Sequence, residues 1–260
     1  MKKIENGKLK WLLLFIVSSV GAIAAIIFLA VSYLSAHSVD KYLEAAYRDV
    51  GAVSPTEEGL ASASDFNSPI DFESLWAVNK DIYAWIEIPD TNINYPVAQK
   101  KMNDEYYLNH AIDGSKDKKG TLFTESLFNG TDFNDPVTVI YGHDMKNGSM
   151  FGRLQNYSKE AYFNKHTTIK VYMPEKTLTY KVFAAVPFSG KHILYSWDFD
   201  DENQFNNFIR TVRSTKSLLA NFNDEIEVTS SDKLLILSTC LKSDNSKRYL
   251  VMAVLTDEQK

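Results

Sequence analysis

The chain has 260 residues, 28 Lys and Arg against 33 Asp and Glu, and a formal net charge of −5, enough for one sizeable domain plus an appendage. This balance argues against a nucleic-acid binder, which neutralises phosphates with clustered Lys and Arg; the basic run Lys116, Lys118, Lys119 is broken by Asp117 and reads as a solvated loop. Aromatics reach 13%, with 14 Tyr and 15 Phe, which leans toward β structure.

Lys2, Lys3, Lys8 and Lys10, against one Glu5, precede a stretch from Trp11 to Leu34 without a charged residue. At about 1.5 Å per residue this stretch is roughly 36 Å long as a helix, against a bilayer core of about 30 Å. Positive flanks stay in the cytoplasm. The expectation is a cytoplasmic tail over 1–10, a transmembrane signal anchor over 11–34, and a single-pass cell-membrane protein whose remainder is extracellular. A cleaved signal peptide is the rival, but its apolar region usually spans only about 7–15 residues. Ser38 caps a predicted helix to Val50, with Val39, Tyr42, Leu43, Ala46 and Tyr47 on its apolar face. Residues 52–70 are rich in Ser, Ala, Pro, Glu and Gly and read as a linker. The division is therefore helix and linker over 35–70 and an extracellular domain over 71–260.

A short helix is predicted from Phe72 to Val78. Strands are predicted at Ile82–Ile88, Ile93–Val97, Thr121–Phe123, Val137–Tyr141, Thr167–Met173, Thr177–Val186, Leu234–Thr239 and Tyr249–Leu255. Pro174-Glu175-Lys176 marks a hairpin between the fifth and sixth. Further helices are predicted at Asp104–Leu108, Phe151–Leu154 and Glu202–Ser217. Strands and long helices do not alternate regularly, which argues against a doubly wound parallel sheet; a mostly antiparallel barrel or sandwich with helical insertions fits best.

The single Cys, at position 240, cannot form an internal disulfide and cannot build a thiolate metal cage. It is either a buried inert thiol or a reactive one. The apolar run Leu234-Leu235-Ile236-Leu237 leads into Ser238-Thr239-Cys240, and Arg248 stands just before the next apolar strand. If those strands pair, thiol and guanidinium share one rim of the sheet, where the guanidinium favours thiolate and could hold an oxyanion. A second apolar strand, Val137 to Tyr141, ends in Gly142-His143; Gly142 would let the backbone turn and spare the imidazole side-chain bulk. Neither a Gly-rich phosphate loop nor metal-ligand spacing is present, so no cofactor and no metal are expected.

Tyr141-Gly142-His143, Leu237-Ser238-Thr239-Cys240 and Arg248 resemble the His, Cys and Arg signatures of sortases. Asn94-Tyr95-Pro96-Val97, Tyr107-Leu108-Asn109, Gly120-Thr121-Leu122-Phe123 and Met150-Phe151-Gly152 with Leu154 look like class B members in particular. The resemblance covers about residues 72–256. Ile236 departs from the family pattern before the Cys, and Lys242 stands two places after it where some members carry an acid.

The resemblance implies a mostly β fold: an eight-stranded barrel with N-terminal helices and a helix between strands six and seven. It implies a membrane-anchored cysteine transpeptidase of Gram-positive bacteria. Cys240 would be the nucleophile, His143 the acid and base, and Arg248 the oxyanion and substrate clamp. Asn103, Leu108, Tyr141, Tyr195 and Ser238 would line the substrate groove. The implied partners are a surface-protein or pilin substrate with a C-terminal sorting signal, and an amine from peptidoglycan precursor or from a pilin lysine. The competing reading is a non-enzymatic, membrane-anchored surface binding domain with Cys240 buried.

Overall fold

The computed structural model describes residues 14–27 and 66–260, which fall in two units, Met1–Ala45 and Ala46–Lys260. In the first unit residues 14–27 are helical, about 21 Å at the α-helical rise. Among the described residues no helix is long and apolar enough to cross a membrane. The predicted helix over 38–50 and the linker up to residue 65 lie outside the described residues.

In the second unit, α1 (Phe72–Val78) matches its predicted bounds: the Asp71 carboxylate caps it by accepting from the Ser74 N–H at 3.1 Å, and it buries Phe72 and Leu75. The strands follow as β1 (Ile82–Glu87), β2 (Asn94–Ala98), β3 (Leu122–Phe123), β4 (Val137–Tyr141), β5 (Thr168–Tyr172), β6 (Thr177–Phe188), β7 (Asn221–Phe222), β8 (Leu234–Leu241) and β9 (Asp244–Gln259). Hydrogen bonding runs in the order β5-β1-β2-β3-β4-β8-β9-β6-β7, and β5 also pairs with β6. That last pairing closes eight strands into a barrel, with the two-residue β7 attached outside the ring. Pairing is antiparallel except for β2 with β3 and β4 with β8.

The strand faces alternate between two apolar clusters. Leu235 and Leu237 of β8, Tyr249, Val251 and Ala253 of β9, and Ile140 of β4 belong to the first, which fills the barrel. Leu234 and Ile236, Leu250, Met252 and Val254, and Val137 and Val139 belong to the second, on the outer face. Because both faces are covered, β8 reads as a continuous apolar run. The outer cover is α4 (Glu202–Arg213), which lies between the sixth and seventh barrel strands. It is capped by Asp201, which accepts from the N–H groups of Asn203 (2.8 Å) and Gln204 (3.2 Å), and it buries Phe205, Phe208 and Val212. A buried Phe contributes about 1.5–3 kcal/mol by area, so this layer is a substantial part of the core.

Several local expectations are corrected. The helix predicted at Asp104–Leu108 is a 3-10 turn at Tyr106–Leu108, and the one at Phe151–Leu154 begins only at Leu154, as a 3-10 helix to Ser158. Helix α4 stops at Arg213, where the Ser214 N–H caps the Arg210 and Val212 carbonyls. Helices α2 (Glu160–Lys165) and α3 (Ile193–Ser196) and strand β7 were not expected, each being too short to show a period. The polar stretch after Cys240 is a tight hairpin: Leu241 pairs with Asp244, and only Lys242 and Ser243 turn.

Candidate active site

The face alternation places the reactive groups. Ser238 and Cys240 continue the outer face set by Leu234 and Ile236. Arg248 continues the face of Leu250 and Met252, and Cys240 is directly paired with Arg248 across β8 and β9. Paired residues on an antiparallel ladder project to the same side with Cβ atoms about 5 Å apart. In the neighbouring parallel pair Tyr141 is opposite Ser238, so His143, two residues on, leaves β4 level with Cys240. The three side chains line one open cleft of about 220 Å³, together with Leu108, Tyr141 and Ser238. Here α4 no longer covers the outer face.

Cys240 is half-buried and its thiol is free. The Arg248 guanidinium donates through Nη1 to the Asn245 and Lys247 carbonyls at 3.3 Å, which engages one nitrogen of a five-donor fork. The His143 Nε2 lies 2.6 Å from the Leu108 carbonyl oxygen. A carbonyl only accepts, so a neutral His143 carries its proton on Nε2 and leaves its lone pair on Nδ1.

Two glycines shape this corner. A Cβ on Gly142 would sit 2.4 Å from Leu122 Cδ2 and 2.7 Å from Phe151 Cδ2; the residue is small because the barrel end is packed against it, not to spare the imidazole. Gly120, at φ +60, would bring a Cβ within 2.3 Å of the Tyr107 carbonyl oxygen and 2.9 Å of the Leu108 carbonyl oxygen. That is the turn whose Leu108 carbonyl orients His143.

Two of the expected groove residues do not line this cleft. Asn103 is exposed in the turn before the 3-10 segment, where its carbonyl accepts from the Tyr106 N–H at 3.1 Å. Tyr195 is 70% exposed on α3, with its ring against Phe128 (4.6 Å) and His192 (4.9 Å). In their place the cleft contains Glu125 and His192. His192 Nδ1 accepts from the Tyr195 N–H at 3.2 Å, so its Nε2–H points at the Glu125 carboxylate, 2.9 and 2.8 Å from the two oxygens. Burial first, then the Glu125 charge, pushes the Tyr141 phenol up. No sequence motif links Glu125 to His192; only the fold brings them together.

A half-exposed thiol on a rigid strand, a guanidinium beside it and an oriented imidazole at the adjoining strand end make up a nucleophile, an anion clamp and a proton carrier. On an eight-stranded barrel, they define the class of barrel-borne cysteine acyl-transfer enzymes. The sortase family model, described as "Sortase domain", matches residues 86–256. Sortase B of Staphylococcus aureus is 32% identical over 70% of this chain and 73% of its own length. A Bacillus anthracis sortase B structure superposes with a TM-score of 0.69 at 27% identity, covering 87% of this chain and 98% of that one. A Staphylococcus aureus sortase B–substrate complex gives 0.62 at 31%, covering 72% and 84%. The chain belongs to the sortase family, with class B resemblance over most of its length, and is a sortase-type cysteine transpeptidase. The alternative of a buried inert thiol is set aside by the half-buried Cys240 in the cleft.

Proposed function

We propose that the chain cleaves a sorting signal at a Thr-X bond and joins the Thr carboxyl to an amine. The observation that carries this reading is the cross-strand pairing of Cys240 with Arg248, with His143 in the same cleft. The Cys240 sulfur attacks the Thr carbonyl carbon, and the C–N bond breaks as His143 gives a proton to the departing amine. Arg248 holds the developing oxyanion. An incoming amine then attacks the thioester, passes a proton back to His143 and expels the thiolate. Leu108, Tyr141 and Ser238 line the groove beside the nucleophile, with Asn103 and Tyr195 assigned to its outer reaches.

The substrate on this reading is a surface protein or pilin with a C-terminal sorting signal, and the acceptor is a peptidoglycan-precursor amine or a pilin lysine. The uncharged stretch 11–34, with its basic flank, supports an anchored enzyme with an inside N-terminus and an extracellular 71–260 domain. The test is product analysis with a panel of Asn-Pro-x-Thr-x peptides. Amide formation that rises with added amine supports transfer, whereas free acid alone at every amine concentration refutes it.

A further inference from the structure

Strand β4 pairs with β8 only as far as Tyr141 and Ser238, and one more bond follows, from the Gly142 N–H to the Ser238 carbonyl at 3.1 Å. Past that point the chain turns away: the His143 carbonyl accepts from the Phe151 N–H at 3.0 Å, and Asp144 bridges to Met150. The edge of β8 that carries the nucleophile has thus lost its backbone neighbour. The groups left over are the Cys240 carbonyl and the Lys242 N–H, the pair flanking Leu241 that a single residue of a parallel neighbour would engage.

Gln155, in the 3-10 segment Leu154–Ser158, takes both. Its Nε2 donates to the Cys240 carbonyl at 2.9 Å, and its Oε1 accepts from the Lys242 N–H at 3.1 Å. The side-chain amide thereby acts as the peptide group that β4 does not supply. The second Nε2 proton goes to Asp144 Oδ2 at 3.1 Å, on the residue that follows His143. Lys242 closes the arrangement, its Nζ lying 3.5 Å from Asp144 Oδ1 and donating to the Gly152 carbonyl at 2.9 Å. One primary amide therefore ties the backbone of the nucleophile to the loop of the base.

We propose that Gln155 is a positioning residue: by standing in for the next residue of β4, it fixes the Cys240 backbone against the His143 loop and sets the approach of thiol and imidazole. The inference rests on the transpeptidase reading above. It concerns a residue that touches neither substrate nor thiol, and it explains how His143 can leave the strand without loosening the strand that carries Cys240.

The test compares the purified full chain with Gln155→Met and Gln155→Glu. The Met side chain keeps the volume and deletes all three bonds; a misplacement near 1 Å costs on the order of 100-fold. Acylation kcat is expected to fall about 10–100-fold with KM within about threefold. Gln155→Glu is informative through pH. An ionised carboxylate repels the Cys240 carbonyl and Asp144, whereas a protonated one donates to the Cys240 carbonyl and accepts from Lys242. Its activity relative to the unsubstituted protein should therefore rise as pH falls from 8 to 5.5. A role limited to general stability would lower the melting temperature without this pH-dependent ratio. Unsubstituted protein that acylates while Gln155→Met retains kcat within about twofold, or a Gln155→Glu ratio that is flat with pH, overturns the proposal. Unsubstituted protein that acylates with no peptide overturns the transpeptidase reading, and the proposal with it.

Discussion

Replacing Gly120 by Ala strikes the base of the site through backbone packing alone. Gly120 has φ +60, and an added Cβ would lie 2.3 Å from the Tyr107 carbonyl oxygen and 2.9 Å from that of Leu108. The left-handed conformation costs a non-Gly residue about 1–2 kcal/mol, and overpacking adds about 1–3 kcal/mol, together roughly 2–5 kcal/mol. Gly114 is the internal control. Its φ is +80, but its nearest neighbour is the flexible Tyr106 hydroxyl at 3.4 Å, so Gly114→Ala carries only the conformational cost of about 1–2 kcal/mol. In thermal denaturation followed by circular dichroism, about 2–4 °C per kcal/mol is expected for a domain of this size. Gly120→Ala should thus melt roughly 10 °C low and Gly114→Ala about 2–8 °C low. The displaced Leu108 carbonyl also releases the 2.6 Å bond that orients His143, so the residual activity of Gly120→Ala should fall further than its folded fraction. Equal melting temperatures for the two variants, or full specific activity in folded Gly120→Ala, would refute the reasoning.

Two further outcomes follow from buried polar groups. Thr239 is 2% exposed and its Oγ1 has no hydrogen-bond partner among the described residues; an unmet buried hydroxyl costs about 1–3 kcal/mol, so the isosteric Thr239→Val should raise the melting temperature by a few degrees, and a drop would contradict this. Burial lifts the Asp144 carboxyl above its ordinary 3.8, with Lys242 opposing. A raised folded-state value adds stability below the unfolded value and loses it as pH climbs through the folded one; the melting temperature of Asp144→Asn relative to the unsubstituted protein should therefore rise between pH 4 and pH 7, and a fall would mean that the Lys242 pairing outweighs burial.

The sequence made the barrel strands legible where burial imposes a pattern. The unbroken run Leu234–Leu237 marked a strand covered on both faces, and Pro174-Glu175-Lys176 marked the hairpin between β5 and β6, where the Met173 N–H reaches the Lys176 carbonyl at 2.8 Å. The hairpin after Cys240 escaped notice because Asn245, Ser246 and Lys247 are exposed, so no apolar alternation betrays the start of β9. Cys240, His143 and Arg248 could be singled out because each ends or begins an apolar run. Glu125, His192 and Gln155 could not, since each acquires its role only through partners 67 or 85 positions away in the chain. Asn103 and Tyr195 illustrate the reverse: sequence likeness places them near the groove, while local turn geometry and the Phe128 and His192 rings leave them outside the cleft.

Mass spectrometry of the protein after incubation with Asn-Pro-x-Thr-x peptides bears most directly on Cys240 as nucleophile. A peptide-acyl mass on Cys240, absent in Cys240→Ala and discharged by an added amine, is the predicted result. An adduct that persists in Cys240→Ala, or no adduct together with a Cys240 that resists iodoacetamide in the folded protein, would contradict it.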